Sequence, residues 1–202
     1  MKTILLLFFT LTTGCAQNKT DKQVGDTCED CQMMFDGMPE SIKSSTTIAP
    51  SNEPREKLII TGTIYKLDGK TPASDVILYV YHTDAKGFYS SSPDQAHAKR
   101  HGHLRGWVKT GADGKYSITS IRPGAYPSNR AAQHIHPIIK EPNLSLYWID
   151  EYLFHDDPLL GEEEKNRQEK RGGNGIIHLT KNAQGVWIGH RDIILGLNVP
   201  NY

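Results

Sequence analysis

The amino-acid sequence predicts an all-β domain, built as a β-sandwich with little helix. Short segments alternate apolar and polar residues, or are rich in β-branched and aromatic residues, which is typical of strands. Turn sequences with glycine and aspartate separate several of them, and the 202 residues include 18 glycines and 11 prolines. Only residues 162–171 have a helical pattern, and their high charge indicates a solvent-exposed excursion. Short strands at this spacing favour two packed sheets.

Turn signals set the limits of the first strands. Asp68-Gly69 follows the first strand, and Gly-Ala-Asp-Gly at residues 111–114 joins the two strands of a hairpin. Pro137 lies inside a predicted strand, which suggests a sheet edge or a bulge because proline has no N–H to donate. The predicted strands are residues 58–66, 76–82, 104–110, 115–121, 134–139, 144–154, 176–180 and 186–195.

The charge balance limits the classes of partner. Lys+Arg and Asp+Glu both number 23, so the net charge is zero with histidine neutral. A nucleic-acid-binding surface or a polybasic membrane surface needs an excess of positive charge. We therefore predict no nucleic-acid partner.

The first 15 residues have the pattern of a secretory signal. A charged start is followed by an apolar run at residues 4–11, which is too short to span a bilayer as a helix. Small residues before Cys15 resemble a bacterial lipoprotein processing site, after which Cys15 carries lipid. We predict an exported protein of the cell envelope, anchored to a bacterial membrane through lipid on Cys15. The alternative is a plain signal peptide that is cut nearby.

Residues 16–57 are polar and lack a strand or helix period, which is typical of a linker. In an exported protein, Cys28 and Cys31 at this spacing favour a local disulfide. The alternative is a soft-metal site that combines the thiolates with nearby methionine sulfur. The linker offers little apolar surface for pairing of two chains, so we expect a monomer. We predict that the sandwich domain covers residues 58–202.

The sequence His134-Ile135-His136 is a candidate for metal binding. In a strand, side chains two residues apart point to one face, so both imidazoles point to the same place and Ile135 points away. Tyr126 precedes them on a turn stiffened by proline. Imidazole binds borderline metals, and hard ferric iron also accepts phenolate oxygen. The alternative is an ordinary pair of surface histidines beside half-buried strand tyrosines.

Short motifs between residues 59 and 158, about half of the chain, resemble those of the intradiol ring-cleavage dioxygenases, a family that includes protocatechuate and catechol dioxygenases. They occur in the order that the family shows, and the ordered set is more specific than any motif alone. The motifs are Gly87-Phe88-Tyr89, Leu104-Arg105-Gly106, Thr110, Asp113-Gly114-Lys115-Tyr116, Ile121-Arg122-Pro123-Gly124, Tyr126-Pro127 and His134-Ile135-His136.

The resemblance implies a β-sandwich of the intradiol dioxygenase type and a non-haem Fe(III) cofactor. Its metal ligands would be Tyr89, Tyr126, His134 and His136. It also implies an enzyme that uses O2 to open a small aromatic diol between its two hydroxylated carbons. Tyr126 would act in catalysis by accepting a substrate proton.

Three departures from the family pattern lie just before the histidines. Ala131 stands where the family has an arginine that stabilises charge on the substrate, and Arg130 stands one place earlier. A shift of one residue in a strand reverses the face, although a loop can absorb it, so Arg130 is a candidate catalytic residue. The interval 128–133 is short, and Gln133 replaces a small residue. Iron binding is therefore a firmer expectation than turnover of a simple catechol.

Two other interpretations remain open. The chain can be a non-catalytic extracytoplasmic sandwich that keeps the scaffold, with or without metal, since a fold alone does not determine function. The Cys28–Cys31 segment can instead be a metal or redox device carried by the domain. His97, His101 and His103 are candidates for a separate metal cluster, but Lys99 and Arg100 between them favour an exposed loop beside the pocket.

Overall fold

The computed structural model of the protein describes residues 21–91, 100–127 and 131–202. Within these ranges the chain forms twelve strands, a 3-10 helix at Cys31–Phe35 and the α-helix α1 at Glu162–Arg167. The strands are β1 Ser45–Thr47, β2 Lys57–Tyr65, β3 Ile77–Tyr81, β4 Arg105–Lys109, β5 Lys115–Ile121, β6 His134–Lys140, β7 Tyr147–Trp148, β8 Tyr152–Phe154, β9 Ile176–Ile177, β10 Thr180–Lys181, β11 Trp187–His190 and β12 Ile193–Ile194.

Strand β2 is the centre of the first sheet. The order of this sheet is β1-β5-β2-β11-β10, and β12 also pairs with β2. β2 is antiparallel to β5 and parallel to β11 and β12. Its residues alternate between buried and partly exposed, because successive side chains of a strand point to opposite faces. Leu58, Ile60 and Ile64 are its buried hydrophobic residues, and they point into the core.

The second sheet has the order β4-β3-β6-β8-β9, with β7 also paired to β6. Leu78 and Val80 of β3 and Ile135 and Ile139 of β6 share one core with the buried residues of the first sheet. The two packed sheets confirm the predicted all-β sandwich. Helix α1 buries none of its residues, as the charge of this segment predicted.

The outer face of the second sheet is covered by the segment that precedes the sandwich. Cys31 and Met34 are buried there, against Tyr79 and Ile138. Trp107 donates a hydrogen bond from Nε1 to the carbonyl oxygen of Met34 at 2.7 Å. This differs from the expected tether at residues 16–57, because a few spaced apolar residues attach an otherwise polar segment to the sheet.

The same segment supplies strand β1, which was not predicted. β1 pairs in parallel with β5, and Ser45 lies opposite Ser117. Ile48 follows the strand and joins the main core. From residue 21 onward, the described part of the predicted linker is therefore packed on the sandwich. The structure also contains the predicted disulfide between Cys28 and Cys31.

Three predicted strands are each divided in two. Residues 144–154 form β7 and β8, residues 176–180 extend over β9 and the start of β10, and residues 186–195 form β11 and β12. In each case the hydrophobic pattern continues across a short break in pairing, which a pattern alone does not reveal. The predicted helix 162–171 is shortened to α1.

Pro137 lies in an interior strand and not at a sheet edge. β6 has β3 on one side, where Pro137 pairs with Val80. On the other side, β8 pairs with residues 134–135 and β7 with residues 138–139. Proline therefore occupies the point where the neighbouring strand is interrupted, and its missing N–H leaves no ladder bond unmade there.

The predicted signal peptide and the lipid-bearing Cys15 lie outside the described residues, as does Arg130. Across the part of the chain that the structure describes, no helix has the length and apolar character needed to cross a membrane.

Candidate functional site

Strand β6 supplies two of the four predicted metal ligands. His134 and His136 lie on the outer face of the second sheet, while Ile135 between them is 2% exposed and belongs to the main core. The alternation predicted from the His-Ile-His pattern is therefore confirmed. His134 pairs with Leu153 of β8, and His136 pairs with Tyr81 of β3.

Tyr89 and Tyr126 come from two loops that are tied together. The carbonyl oxygen of Asp84 accepts hydrogen bonds from the backbone N–H groups of Gly87 and Gly124, at 3.1 and 2.9 Å. Gly87 has a positive φ of 85°, and a Cβ built on it would lie 2.0 Å from the carbonyl oxygen of Ala125. Glycine therefore allows the close approach that brings both tyrosines to β6.

The ligand atoms of the four predicted side chains converge on one point. The hydroxyl oxygens of Tyr89 and Tyr126 are 2.5 Å apart. Nε2 of His134 lies 3.1 Å from Nε2 of His136 and 3.1 Å from the hydroxyl oxygen of Tyr126. Nε2 of His136 lies 3.0 Å from the hydroxyl oxygen of Tyr89 and 3.4 Å from that of Tyr126. All four side chains are partly buried.

The polar partners of the two histidines favour tautomers whose Nε2 lone pairs point into this cluster. Nδ1 of His134 donates to the carbonyl oxygen of Ala132 at 2.7 Å, which leaves the lone pair of the neutral ring on Nε2. Oε1 of Glu151 lies 3.7 Å from Nδ1 of His136 and favours the same tautomer. Carbonyl and carboxylate groups orient metal-binding histidines in this way.

Burial favours the neutral forms of Tyr89, Tyr126 and His136 when no cation is bound. Burial raises the pKa of both Tyr89 and Tyr126. It also holds the pKa of His136 well below its usual value, and the neighbouring His134 lowers it further. Each phenol hydroxyl then has an imidazole nitrogen as its acceptor. A bound trivalent cation would replace the two phenol protons, because it strongly favours the phenolate form.

This donor set fits Fe(III). Two phenolates and two neutral imidazoles combine hard oxygen and borderline nitrogen donors, which ferric iron accepts. In the ranges that the structure describes, no group of three or more His, Cys, Asp or Glu residues offers an alternative metal site.

Two neighbouring residues support the histidines and were not predicted as part of the site. The ring of Tyr81 stacks on His136, with centroids 4.7 Å apart. His101 stacks on the other face of Tyr81 at 3.7 Å, and its Nδ1 lies 3.0 Å from the hydroxyl oxygen of Tyr79. His101 is 3% exposed, so the expectation of an exposed histidine loop is wrong for this residue. His97 lies outside the described residues.

Gln133 has a structural role at the start of β6. Its side-chain oxygen accepts a hydrogen bond from Nε of Arg122 at 2.6 Å, and its backbone N–H donates to Asp157 at 2.6 Å. Arg122 also makes a bidentate ion pair with Asp156. The larger residue before His134 therefore anchors this end of the strand.

Two cavities meet at the cluster. The larger has a volume of about 410 Å³ and is lined by Glu29, Asp30, Tyr81, Tyr89, Arg100, His101, Tyr126 and His136. The smaller has a volume of about 250 Å³ and shares Glu29, Tyr81 and His136 with it. The smaller cavity also includes Glu151 and both cysteines of the disulfide. A cavity of about 410 Å³ lies within the range of roughly 300–1,000 Å³ that is usual for small-molecule sites.

Comparison with known proteins identifies dioxygenases. The family model Dioxygenase_C, described as Dioxygenase, matches residues 34–160, more than half of the chain. Catechol 1,2-dioxygenase 1 of Acinetobacter lwoffii is 41% identical over 80 residues, which are 39% of this chain and 25% of that protein. The protocatechuate 3,4-dioxygenase beta chain of Burkholderia cepacia is 29% identical over 112 residues, which are 52% of this chain and 47% of that protein. The chain thus spans a quarter to about half of the length of these curated relatives.

Solved structures share the fold. Catechol 1,2-dioxygenase from Acinetobacter sp. ADP1, inhibited by bound mercury, superposes with a TM-score of 0.61 at 19% identity, covering 79% of this chain and 58% of that one. The dioxygenase domain of a dioxygenase and carbohydrate-binding protein fusion from Streptomyces sp. SirexAA-E gives a TM-score of 0.55 at 20% identity, covering 78% and 91%. At these identities the likeness concerns the fold alone.

Proposed function

Since the chain belongs to the intradiol ring-cleavage dioxygenase family, we propose that it uses O2 to cleave catechol-type aromatic diols between the two hydroxylated carbons. Fe(III) would be held by Tyr89, Tyr126, His134 and His136. The observation that supports this most strongly is the convergence of their four ligand atoms beside a cavity of small-molecule size.

The protein's own residues have distinct parts in this reaction. Fe(III), when bound, supplies a Lewis acid that favours the anionic forms of phenols and of a bound diol. His134 and His136 contribute neutral donors whose orientation is fixed by Ala132 and Glu151. Tyr126, as a phenolate, accepts a proton from a substrate hydroxyl at its own hydroxyl oxygen. Tyr81 and His101 close the inner wall of the cavity with ring faces.

The position of the family arginine bears on turnover. Ala131 has no charge to offer a substrate, so another group must stabilise negative charge that develops on the ring. Arg130 stays a candidate for this role, as predicted from the sequence. Arg100 lines the larger cavity and is a second candidate.

The test is an iron assay and a visible absorption spectrum of the purified full-length protein, with Tyr126→Phe as the control. We expect a reddish tyrosinate-to-iron charge-transfer band that shifts when catechol is added without O2 and that is altered in Tyr126→Phe. With isotopically labelled O2, both oxygen atoms should appear in a ring-opened diacid. A colourless protein that stays iron-free after ferric and ferrous loading would overturn the proposal.

A binding module without catalysis is the second candidate function, and Ala131 in the arginine position is the observation that favours it. This alternative predicts that catechols bind without consumption of O2. Oxygen uptake in the presence of catechol, measured on iron-loaded protein, separates the two.

We also propose that the protein acts in the cell envelope as a lipid-anchored monomer. The support is the sequence of residues 1–15 and the Cys28–Cys31 disulfide, since disulfides persist in oxidising compartments. Incorporation of labelled fatty acid that is lost in Cys15→Ser would support the anchor. Mass measurement by light scattering in detergent would establish whether the protein is a monomer.

A further inference from the structure

The two cavities beside the candidate iron ligands have a wall that is rich in carboxylates. Glu29 lines both cavities, Asp30 lines the larger, and Glu151 lines the smaller. Among the described residues that line the two cavities, Arg100 is the one with a permanently positive side chain. Among the lining residues that the structure describes, negative side chains therefore outnumber positive ones.

The covering segment holds these carboxylates in place. Asp30 has a positive φ of 57°, which is uncommon outside glycine, and directly precedes the 3-10 helix whose Cys31 and Met34 are buried on the outer face of the second sheet. The disulfide between Cys28 and Cys31 brackets Glu29 and Asp30. Both carboxylates thus belong to a short closed loop at the cavity wall and not to a free chain.

Arg100 offsets this charge only in part. Its Nη1 lies 2.8 Å from Asp30, and its Nη2 lies 3.4 Å from Glu29. The guanidinium side chain is 66% exposed, whereas that of Asp30 is 27% exposed. One solvated cation shared between two carboxylates leaves the described part of this wall net negative, and Glu151 adds a further carboxylate in the smaller cavity.

The uncharged part of the larger cavity is aromatic. Its described lining consists of tyrosine, histidine and charged residues, with no aliphatic side chain among them. Aromatic faces combined with carboxylates attract organic cations, because the ring quadrupole and the carboxylate both favour positive charge. The same wall repels a carboxylate on the substrate.

From this arrangement we propose that the site selects catechols that carry a cationic alkylammonium substituent over catechols that carry a carboxylate. The inference rests on the proposed function and specifies its substrate class. Glu29 and Asp30 are the residues that determine the preference, and the ring hydroxyls are bound as in any other catechol.

The test uses three catechols of similar size, with an ethyl, an aminoethyl or a carboxymethyl group para to one hydroxyl. Dissociation constants are measured by calorimetry on the iron-loaded full-length protein without O2, so that binding is observed apart from turnover. Across about 8 Å at an effective dielectric constant of about 40, one unit charge changes affinity roughly five-fold. We expect the aminoethyl compound to bind at least about five-fold more tightly than the carboxymethyl compound, with the ethyl compound between them. The difference should shrink as salt is raised, because Glu29 is exposed.

Variants with opposite expected effects make the test specific. The double change Glu29→Gln and Asp30→Asn should abolish most of the preference, whereas Arg100→Gln should increase it. Glu162→Gln removes an exposed carboxylate from α1 and should leave it unchanged. Thermal unfolding of each variant shows whether it is folded.

The inference and the function on which it rests fail in different ways. If unsubstituted catechol neither binds nor is cleaved, the proposed function is overturned. If catechol is bound and cleaved but the carboxymethyl compound binds as well as the aminoethyl compound, the substrate class is overturned alone. An unchanged preference in the folded double variant Glu29→Gln and Asp30→Asn would likewise overturn it, because these carboxylates would then not determine the substrate class.

Discussion

The ring of Tyr81 stacks on the imidazole of His136, with centroids 4.7 Å apart and planes 17° from parallel. His101 stacks on the opposite face of Tyr81, almost parallel to it. The three rings fix the plane of His136, so Tyr81 is a positioning residue for a candidate iron ligand.

We therefore expect Tyr81→Leu to weaken iron binding about ten-fold, since loss of groups that orient metal ligands typically costs 10–100-fold in affinity. Tyr81→Phe keeps the stack and should bind iron as the unmodified protein does. Competition with a chelator measures both affinities. Equal iron affinity in a folded Tyr81→Leu protein would show that the stack does not orient His136.

A second prediction concerns pH and His82. This residue is 1% exposed. Its Nδ1 donates to the carbonyl oxygen of Thr83 at 2.8 Å, and its Nε2 accepts from the hydroxyl of Ser120 at 2.7 Å. Burial lowers the pKa of His82 to about 4. In the unfolded chain the pKa is about 6.5.

Because the unfolded chain binds this proton first, the free energy of unfolding should fall as pH decreases from about 6.5 to about 4. Between pH 7 and pH 5 the contribution of His82 is about 2 kcal/mol. Urea unfolding of metal-free protein at both pH values measures the loss. In the His82→Gln variant, the loss of unfolding free energy between the two pH values should be smaller by the contribution of His82. An equal loss in both proteins would refute the assignment to His82.

The third prediction tests whether the covering segment belongs to the folded domain. Met34 is fully buried against Tyr79 and Ile138. Met34→Ala should lower the free energy of unfolding by about 3 kcal/mol, through lost burial and a cavity. Met33→Ala, at a partly exposed neighbour, should cost less than about 1 kcal/mol. Chemical denaturation compares the two. Equal small losses would mean that the segment contributes little to the fold.

The fourth prediction concerns the contact between β2 and the chain after β11. A Cβ built on Gly62 would lie 1.8 Å from the carbonyl oxygen of Arg191 and 2.8 Å from Cε1 of Tyr116. Gly62→Ala should therefore destabilise the protein by about 3 kcal/mol, since the backbone has to move. A Cβ built on Gly161 would meet no atom within 4 Å, so Gly161→Ala is the matched control. Thermal unfolding reports both, and similar midpoints would contradict the prediction.

Local patterns were sufficient for part of the candidate site. The alternation in β6 places His134 and His136 on one face and Ile135 in the core. The convergence of Tyr89 and Tyr126 on them depends on hydrogen bonds that the backbone N–H groups of Gly87 and Gly124 donate to the carbonyl oxygen of Asp84, which joins loops distant in sequence. No local pattern contains this information: the proline turn before the histidines drew attention to Tyr126, but only the ordered family motifs pointed to Tyr89.

The covering segment and His101 were missed for a physical reason. Cys31, Met34 and Ile48 are too widely and irregularly spaced to give a strand or helix period, yet each is buried by the sheet that it meets. His101 follows Lys99-Arg100, so its neighbours suggest solvent, but its own ring is buried between Tyr79 and Tyr81. Burial of isolated residues depends on partners that lie elsewhere in the chain.

The parallel pairing of β2 with β11 and β12 has a consequence for the order in which the molecule forms. Residues 57–65 leave the ribosome long before their partners at residues 187–194. At about 5–20 residues per second, the interval is roughly ten seconds. During that time one edge of the central strand has no partner, and unpaired edges promote aggregation. Completion of the first sheet therefore depends on residues 187–194, and their loss should be more harmful than their distance from the candidate iron ligands suggests.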